Sequence, residues 1–302
     1  MEATALEQTL RERPDDEASW GAYGSLLREQ GDIRGELIRL EQLHAHARPA
    51  DRDELKRRVD LLVEEHQQTW DAELPPEATV RLRRHGFVLK VAVEWSEGAP
   101  TLIGKALQGR FVTGLHIMSG EEAEEADEDY YDDEPDFDED DMPQPPPPHE
   151  VGALADLDLG GLTELGLAYF RIGDPGAEAL AAAASDGRIE TLDLRYCGIS
   201  DAGPAALGAS PNFRNVRRLH LQCNRLTAQG VRALAAFERL EELDLRYNPI
   251  GADGAQALIE APFVGSLKRL LLYREDVSDA GAQKLAHAPQ LPTALRSFWR
   301  SV

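Results

Sequence analysis

Two stretches of the chain, IETLDLRYCGI at 189–199 and LEELDLRYNPI at 240–250, carry the same pattern and decide the fold. Leucine or isoleucine occupies the first, fourth, sixth and eleventh positions, while Cys197 or Asn248 occupies the ninth. Three more copies begin at residues 162, 216 and 267, and the central leucines of the five copies lie 27, 27, 24 and 27 residues apart. Copies at this spacing predict a solenoid whose coils bury their leucines against one another.

A capping residue and an alanine-rich stretch follow the copies of the pattern. Asp accepts backbone N–H bonds at a helix N-terminus and alanine favours helix, so each coil is expected to contain a strand, a loop and a helix. The capping positions are Asp174, Asp201, Thr227, Asp253 and Asp279. The expected fold class is therefore α/β, a solenoid with parallel strands on its concave side, helices on its convex side and a helical domain in front.

The solenoid is expected to continue beyond the five copies. Val112, Leu115 and Ile117 fit the strand template before the first copy, and Leu295 with Phe298 forms a partial copy after the last. Arg300 occupies the next apolar position of that partial copy, so the sheet is expected to end there. Four segments follow from these patterns. We expect a helical module at 1–75, a linker strand and helix with the N-terminal repeat cap at 76–119, an acidic and proline-rich insert at 120–149, and the solenoid with its C-terminal cap at 150–302.

The N-terminal module has helical spacing of apolar residues. The predicted helices are 3–12, 16–30, 34–47 and 52–70, followed by a strand at 87–93 and a short helix at 99–108. Asp32 is expected to cap the third helix, while Arg34 and Glu36 form an ion pair that fixes the corner. No Ser, Cys or His nucleophile stands beside these residues in the sequence, so we interpret the corner as structural.

Both halves resemble known families. The 27-residue copies, with the Asp-x-Gly step at 201–203, resemble bacterial leucine-rich repeats of the ribonuclease-inhibitor class. The run from Tyr23 to Leu40, with GDIRGE at 31–36, resembles the bacterial repeat-companion domain, although Ser25 and Leu26 replace its usual Asp and Trp. The resemblance implies a bacterial protein that binds other proteins on a concave sheet, and it implies no activity for the N-terminal module.

One segment holds most of the negative charge. The 302 residues have a net charge of −23, and 15 of the 55 acids lie in the 21 residues from Glu121 to Asp141, which contain no base. Like charges at this density oppose folding, so 120–149 is expected to be disordered. The segment either aids solubility, folds back over Arg195, Arg246 and Arg274 in competition with an acidic partner, or recruits a basic partner. It lacks the internal glycine of a calcium loop.

The rest of the composition argues against several function classes. An acidic chain lacks the surplus of Lys and Arg that nucleic acids and anionic membranes attract, and no long apolar run is present. Cys197 and Cys223 are expected to be reduced and to face opposite ways. The sequence contains no nucleotide-binding, zinc or hydrolase motif, so we predict a cytoplasmic, non-enzymatic protein with no catalytic residue, cofactor or metal.

The expected binding surface follows the leucine pattern. Side chains between the leucines, and the two residues after the third leucine, should face the concave side. Tyr and Arg recur there, and both residue types are common anchors of protein interfaces. The predicted partner-binding residues are Tyr169, Arg195, Tyr196, Arg246, Tyr247, Tyr273, Arg274 and Trp299. Trp299, near the terminal edge, either extends this surface or caps the core. The preferred function is a scaffold or adaptor for another protein. The alternative is an effector or enzyme accessory whose helical module acts on a target that the repeats select.

Overall fold

The computed structural model describes residues 2–119 and 151–301. The predicted disorder of 120–149, the acidic segment included, lies outside the described residues. The chain divides into two compact units, Met1–Ala92 with Lys105–Gly114, and Val93–Gly104 with Leu115–Val302. Within each unit, the strands of the described residues follow one another in the order of the chain.

The first unit contains the four predicted helices, and their positions are confirmed. They are α1 (Glu2–Glu12), α2 (Glu17–Glu29), α3 (Arg34–Ala45) and α4 (Pro49–Asp71). The carboxylate of Asp16 accepts the N–H of Ser19 at 3.1 Å and so caps α2. Gly31, with φ of 76°, ends this helix because glycine adopts the left-handed conformation without strain.

An aromatic cluster forms the core of the first unit. The rings of Trp20, Tyr23, Phe87 and Phe111 are buried, and the Trp20 and Phe111 ring centres lie 5.2 Å apart. Burial raises the pKa of Tyr23 to about 12, and the hydrogen bond from its hydroxyl to Glu7 adds to this effect. The tyrosine is therefore a neutral part of the core at physiological pH.

The structure adds a strand that the sequence analysis did not predict. Strand β1 (Ala78–Arg84) precedes the expected strand β2 (Phe87–Glu94), and the two-residue connection is His85-Gly86. Both connecting residues have positive φ, 52° and 79°, which is typical of tight turns between strands. The turn was visible in the sequence, but the three arginines of β1 obscured its alternation.

The second unit is the predicted solenoid. Strand β3 (Gly114–Met118) follows helix α5 (Ala99–Ala106), and every later coil adds one strand and one helix. The strands are β4 (Glu164–Gly166), β5 (Thr191–Asp193), β6 (Arg218–His220), β7 (Glu242–Asp244) and β8 (Arg269–Leu271). The helices are α6 (Gly173–Ala182), α7 (Ala202–Ala209), α8 (Ala228–Ala233), α9 (Gly251–Glu260), α10 (Arg274–His287) and α11 (Thr293–Ser301).

The central leucines of the pattern pair with each other across the sheet. From β4 to β8 all neighbours are parallel, and Leu165, Leu192, Leu219, Leu243 and Leu270 stand in register. All five are buried. Because each side chain packs against those of the adjacent coils, no coil has a complete core of its own.

Polar side chains at the ninth position of the pattern join neighbouring coils. The amide of Asn224 donates to the carbonyl of Leu194 at 2.7 Å, and its oxygen accepts the N–H of Ile199 at 2.8 Å. Asn248 makes the same two contacts one coil later, and the thiol of Cys197 donates to the carbonyl of Leu167 at 3.1 Å. The predicted structural role of these residues is confirmed, and both cysteines are free thiols.

The predicted capping by Asp174 and Asp201 is wrong in one respect. Each carboxylate accepts N–H groups at the start of the next helix along the solenoid, not of its own. Asp174 accepts those of Ser200 and Gly203 at 2.8 and 2.9 Å, and Asp201 accepts those of Thr227 and Gly230, both at 2.8 Å. Each of these acids therefore links two coils, because it accepts backbone N–H groups at the N-terminus of the helix in the next coil.

The C-terminal end agrees with the prediction in one respect and differs in another. In the described residues the sheet ends at β8, as the register break at Arg300 predicts, but Leu295 and Phe298 lie on helix α11 and not on a partial copy of the strand pattern. This helix has apolar residues at helical rather than alternating spacing, and Trp299 is its buried residue. A helix ends the array here in the place of a further coil.

The leucine ladder generates a stability prediction. Leu219→Ala should lower the free energy of unfolding by about 2–5 kcal/mol, because Leu219 is buried between two coils and truncation leaves a cavity. Leu61→Ala is the matched control, since that side chain is 65% exposed and its loss should change stability by less than about 0.5 kcal/mol. Urea unfolding of both variants is the measurement, and equal effects would contradict the assignment.

Candidate functional site

The concave face is the face of the sheet turned away from the helices. Its central column runs across the strands as Gly166, Asp193, His220, Asp244 and Leu271, in the predicted register. The column is polar in its middle and apolar at β8. A partner lying across the strands would therefore meet a different surface at each end.

Two arginines that follow the strands of this face form ion pairs with the aspartates that end those strands. Arg195 donates to both carboxylate oxygens of Asp193, at 2.8 and 2.5 Å. Arg246 does the same to Asp244, at 3.1 and 2.9 Å, and reaches Gln222 at 3.2 Å. The side chain of Arg195 is only 12% exposed. Burial alone would raise the pKa of Asp193, but the hydrogen bonds and charge of Arg195 outweigh it and hold that pKa below its usual range.

A row of unusual backbone conformations follows the strands. Tyr169, Tyr196, Cys223 and Tyr247 take equivalent positions in four successive coils, and their φ angles are 63°, 56°, 53° and 58°. Side chains other than glycine pay about 1–2 kcal/mol in this left-handed region. The N–H groups of the first three still donate to the next coil, to the carbonyls of Arg195, Gln222 and Arg246 at 2.9–3.0 Å. The row is thus a regular feature of the array.

The three tyrosines of this row and Tyr273 form two ring pairs. Tyr169 and Tyr196 stack with ring centres 4.5 Å apart and an angle of 13°. Tyr247 and Tyr273 meet at 5.0 Å with an angle of 58°, and the guanidinium of Arg246 lies 5.9 Å from the Tyr273 ring centre. Cys223 stands between the pairs. Tyr196 is 7% exposed, whereas Tyr247 is 41% exposed. The pair at the C-terminal end is therefore the more accessible one.

Asp276 is the last of the polar side chains that join neighbouring coils, and the sequence analysis did not predict this role. Its carboxylate accepts the N–H of Tyr273 at 2.8 Å and also the N–H groups of Tyr247 and Asn248. The N–H groups of the first three residues of the row bond to carbonyls of the next coil, whereas that of Tyr247 bonds to this buried carboxylate. In the repeat pattern the ninth position of this coil is Glu275 and not Asp276. The spacing alone therefore indicates the wrong acid for the contact between coils.

Two predicted binding residues lie elsewhere than expected. Arg274 is in the first turn of α10 and pairs with Asp279 at 2.7 Å, so it leaves the column in which the pattern placed it. Trp299 is 4% exposed on α11, where its ring packs in the end of the array. We correct the expectation that Trp299 adds to the surface. Of the eight residues, the structure brings together Tyr169 with Tyr196, and Arg246 with Tyr247 and Tyr273.

The corner of the N-terminal unit has a different geometry from the one predicted. Arg34 does not pair with Glu36. Its guanidinium lies 4.6 Å from the ring centre of Phe87 and 2.5 Å from a carboxylate oxygen of Glu73, and the residue is buried. Glu36 instead accepts two hydrogen bonds from Arg39, at 2.8 and 2.5 Å. Asp32 accepts the N–H of Arg34 at 2.9 Å, close to its predicted capping role.

Two further properties concern only the residues that the structure describes. In 2–119 and 151–301, no three His, Cys, Asp or Glu side chains gather in a way that could hold a metal ion. None of the helices in those ranges combines the length and the apolar character needed to cross a membrane.

A family model described as leucine-rich repeat matches residues 189–208, 214–235 and 240–258. These ranges begin just before β5, β6 and β7 and cover the helices that follow them. The coils of β4 and β8, which fall outside the match, continue the same sheet in the same register. No curated protein matches the chain. Leucine-rich repeats generally mediate protein–protein interaction, and they are typically not enzymatic.

Asp276 should make stability depend on pH. Burial raises its pKa to about 7, even though the N–H groups of Tyr247 and Asn248 lower it. The folded protein then keeps a proton that the unfolded chain releases above about pH 4, so stability falls as pH rises from about 4 to about 7. Urea unfolding near pH 5 and near pH 8 should show a larger loss for the native protein than for Asp276→Asn, which does not titrate. Equal losses would contradict this assignment.

Proposed function

We propose that the protein is a non-enzymatic scaffold or adaptor that binds a partner protein through its concave face. The observation that carries the proposal is the tyrosine row. Tyr169, Tyr196 and Tyr247 occupy left-handed positions where glycine would be free of strain. A strained tyrosine at three equivalent places, with Tyr247 41% exposed, supports a use for the rings on this face.

The arginines support the binding face in a different way from the rings. Arg195 and Arg246 neutralise Asp193 and Asp244, so their removal would leave carboxylates with low exposure uncompensated. We infer that these arginines shape and stiffen the face, while Tyr169, Tyr247 and Tyr273 supply the contact area. Tyr196 supports the ring of Tyr169 from behind.

Several finer statements belong to the same proposal. The spacing near 27 residues supports a ribonuclease-inhibitor-like type of repeat, and GDIRGE at 31–36 supports a repeat-companion module and a bacterial source. We propose a cytoplasmic location on the same grounds. The alternative, in which the helical module acts on a target selected by the repeats, has less support because Arg34 is buried between aromatic rings rather than exposed to a substrate.

Glycine substitutions test the binding face without damaging the fold. Tyr169→Gly combined with Tyr247→Gly removes two rings and relieves two left-handed residues, so the melting temperature should not fall by more than a few degrees. Proteins captured from the native cytosol by the wild type should be lost by this variant. Mass spectrometry of the captured material is the measurement.

Ser278→Gly is the matched control for this experiment. Ser278 has a φ of 63° and lies on α10, outside the tyrosine row, so the change relieves the same type of strain and removes no ring. The control should capture the same proteins as the wild type. A double glycine variant that melts normally and keeps every captured protein would refute the concave face as the binding surface.

We further propose that the acidic segment from Glu121 to Asp141 modulates binding through its charge. Because the concave arginines already have carboxylate partners, attraction of a basic partner has more support than competition with an acidic one. Deleting residues 121–141 should then weaken capture at low ionic strength and have less effect near 0.15 M salt, where charges are screened beyond about 8 Å. Stronger capture after deletion would favour the competition model instead.

A further inference from the structure

The chemistry of the partner can be inferred from the C-terminal end of the concave face, and this inference rests on the proposed function. Tyr247 and Tyr273 form the accessible ring pair, and Leu271 lies beside them in the central column. Tyr247 is 41% exposed. A partner side chain therefore meets an aromatic surface here before it meets the polar middle of the sheet.

The bases of the face are not suited to an acidic partner. Arg195 and Arg246 each make two hydrogen bonds to a carboxylate with low exposure. A partner carboxylate could replace these contacts only by leaving Asp193 or Asp244 without its cation, which is unfavourable away from water. This argument does not apply to the solvent-exposed ion pairs, because such pairs contribute little free energy and their partners exchange readily.

Carboxyl groups outnumber guanidinium groups in the segments 242–247 and 269–279, which carry the ring pair. Arg246, Arg269 and Arg274 each have an acid of their own, and those acids are Asp244, Glu242 and Asp279. One more carboxylate, Glu275, is exposed at the start of α10. Asp276 adds less negative charge, because burial raises its pKa to about 7 and it is partly protonated near neutral pH. The surroundings of the rings thus favour a positive ligand over a negative one.

The structure already contains one cation beside these rings. The guanidinium of Arg246 lies 5.9 Å from the centre of the Tyr273 ring, within the range of cation–π attraction. Tyr247 forms the other half of the pair and presents its ring to solvent. A second cation, brought by a partner, would find the same type of surface on Tyr247.

We propose that the partner is a basic protein segment that places an arginine or lysine side chain on the Tyr247–Tyr273 pair. The aromatic surface and the surplus of acids provide the local recognition. The net charge of −23 attracts basic partners from a distance and raises their rate of encounter.

The test uses the full chain and a labelled peptide with one central arginine and two lysines in a Gly/Ser background. Citrulline replaces the arginine in the control peptide, which keeps the shape and removes the charge. Fluorescence anisotropy should show tighter binding of the arginine peptide. Tyr247→Gly should weaken that binding by about three- to tenfold, whereas Tyr247→Phe, which keeps the ring, should change it by less than about twofold.

Ser278→Gly again serves as the matched control and should leave peptide affinity unchanged. Equal binding of the arginine and citrulline peptides, or equal binding by the wild type and Tyr247→Gly, would overturn the proposal, since the attraction would then come from net charge alone. Tighter binding of a peptide with glutamates in place of the basic residues would overturn it as well. The capture experiment separates this proposal from the proposed function. If the peptide tests fail but the double glycine variant still loses the captured proteins, the concave face remains the binding surface and only the basic ligand is refuted.

Discussion

Every coil of the solenoid depends on the next one for its backbone hydrogen bonds. Asn224 and Asn248 donate to carbonyls of the preceding coil and accept an N–H from it, while Asp174 and Asp201 reach forward to the helix that follows. A buried backbone group that lacks a partner is costly, so the ladders fix the register of the strands as firmly as the leucines do. The register in turn aligns the side chains of the concave face in columns.

The same constraint explains the C-terminal end. The coil that begins with β8 enters helix α10 at Arg274, so the chain leaves the repeat pattern next to Tyr247 and the N–H of Tyr247 bonds to a side chain. The carboxylate of Asp276 accepts this N–H group, together with the N–H groups of Asn248 and Tyr273. One side chain thus ends the ladder and holds the backbones of both tyrosines in the accessible ring pair. The proposed binding surface and the end of the array share this residue.

The repeat pattern was sufficient to predict the strands, the helices and the columns, because leucine spacing determines which residues face inward. It was insufficient where the chain departs from the pattern. Glu275 has the ladder spacing, but the early start of α10 brings Asp276 into that place. Trp299 belongs to a helix whose spacing resembled a partial strand. Burial at the end of an array depends on tertiary packing that no single copy encodes.

The pairing of the arginines could have been predicted. In the Leu-Asp-Leu-Arg motif the acid is the last residue of the strand and the base follows two residues later, so the two side chains are within reach of each other. Counting Arg195 and Arg246 as available cations ignored that geometry. Once each is joined to its own aspartate, the face loses its apparent positive character, and the aromatic rings remain as its distinctive chemical feature. In the proposed function, this surface selects partners by contacts with the rings and by the neighbouring acids.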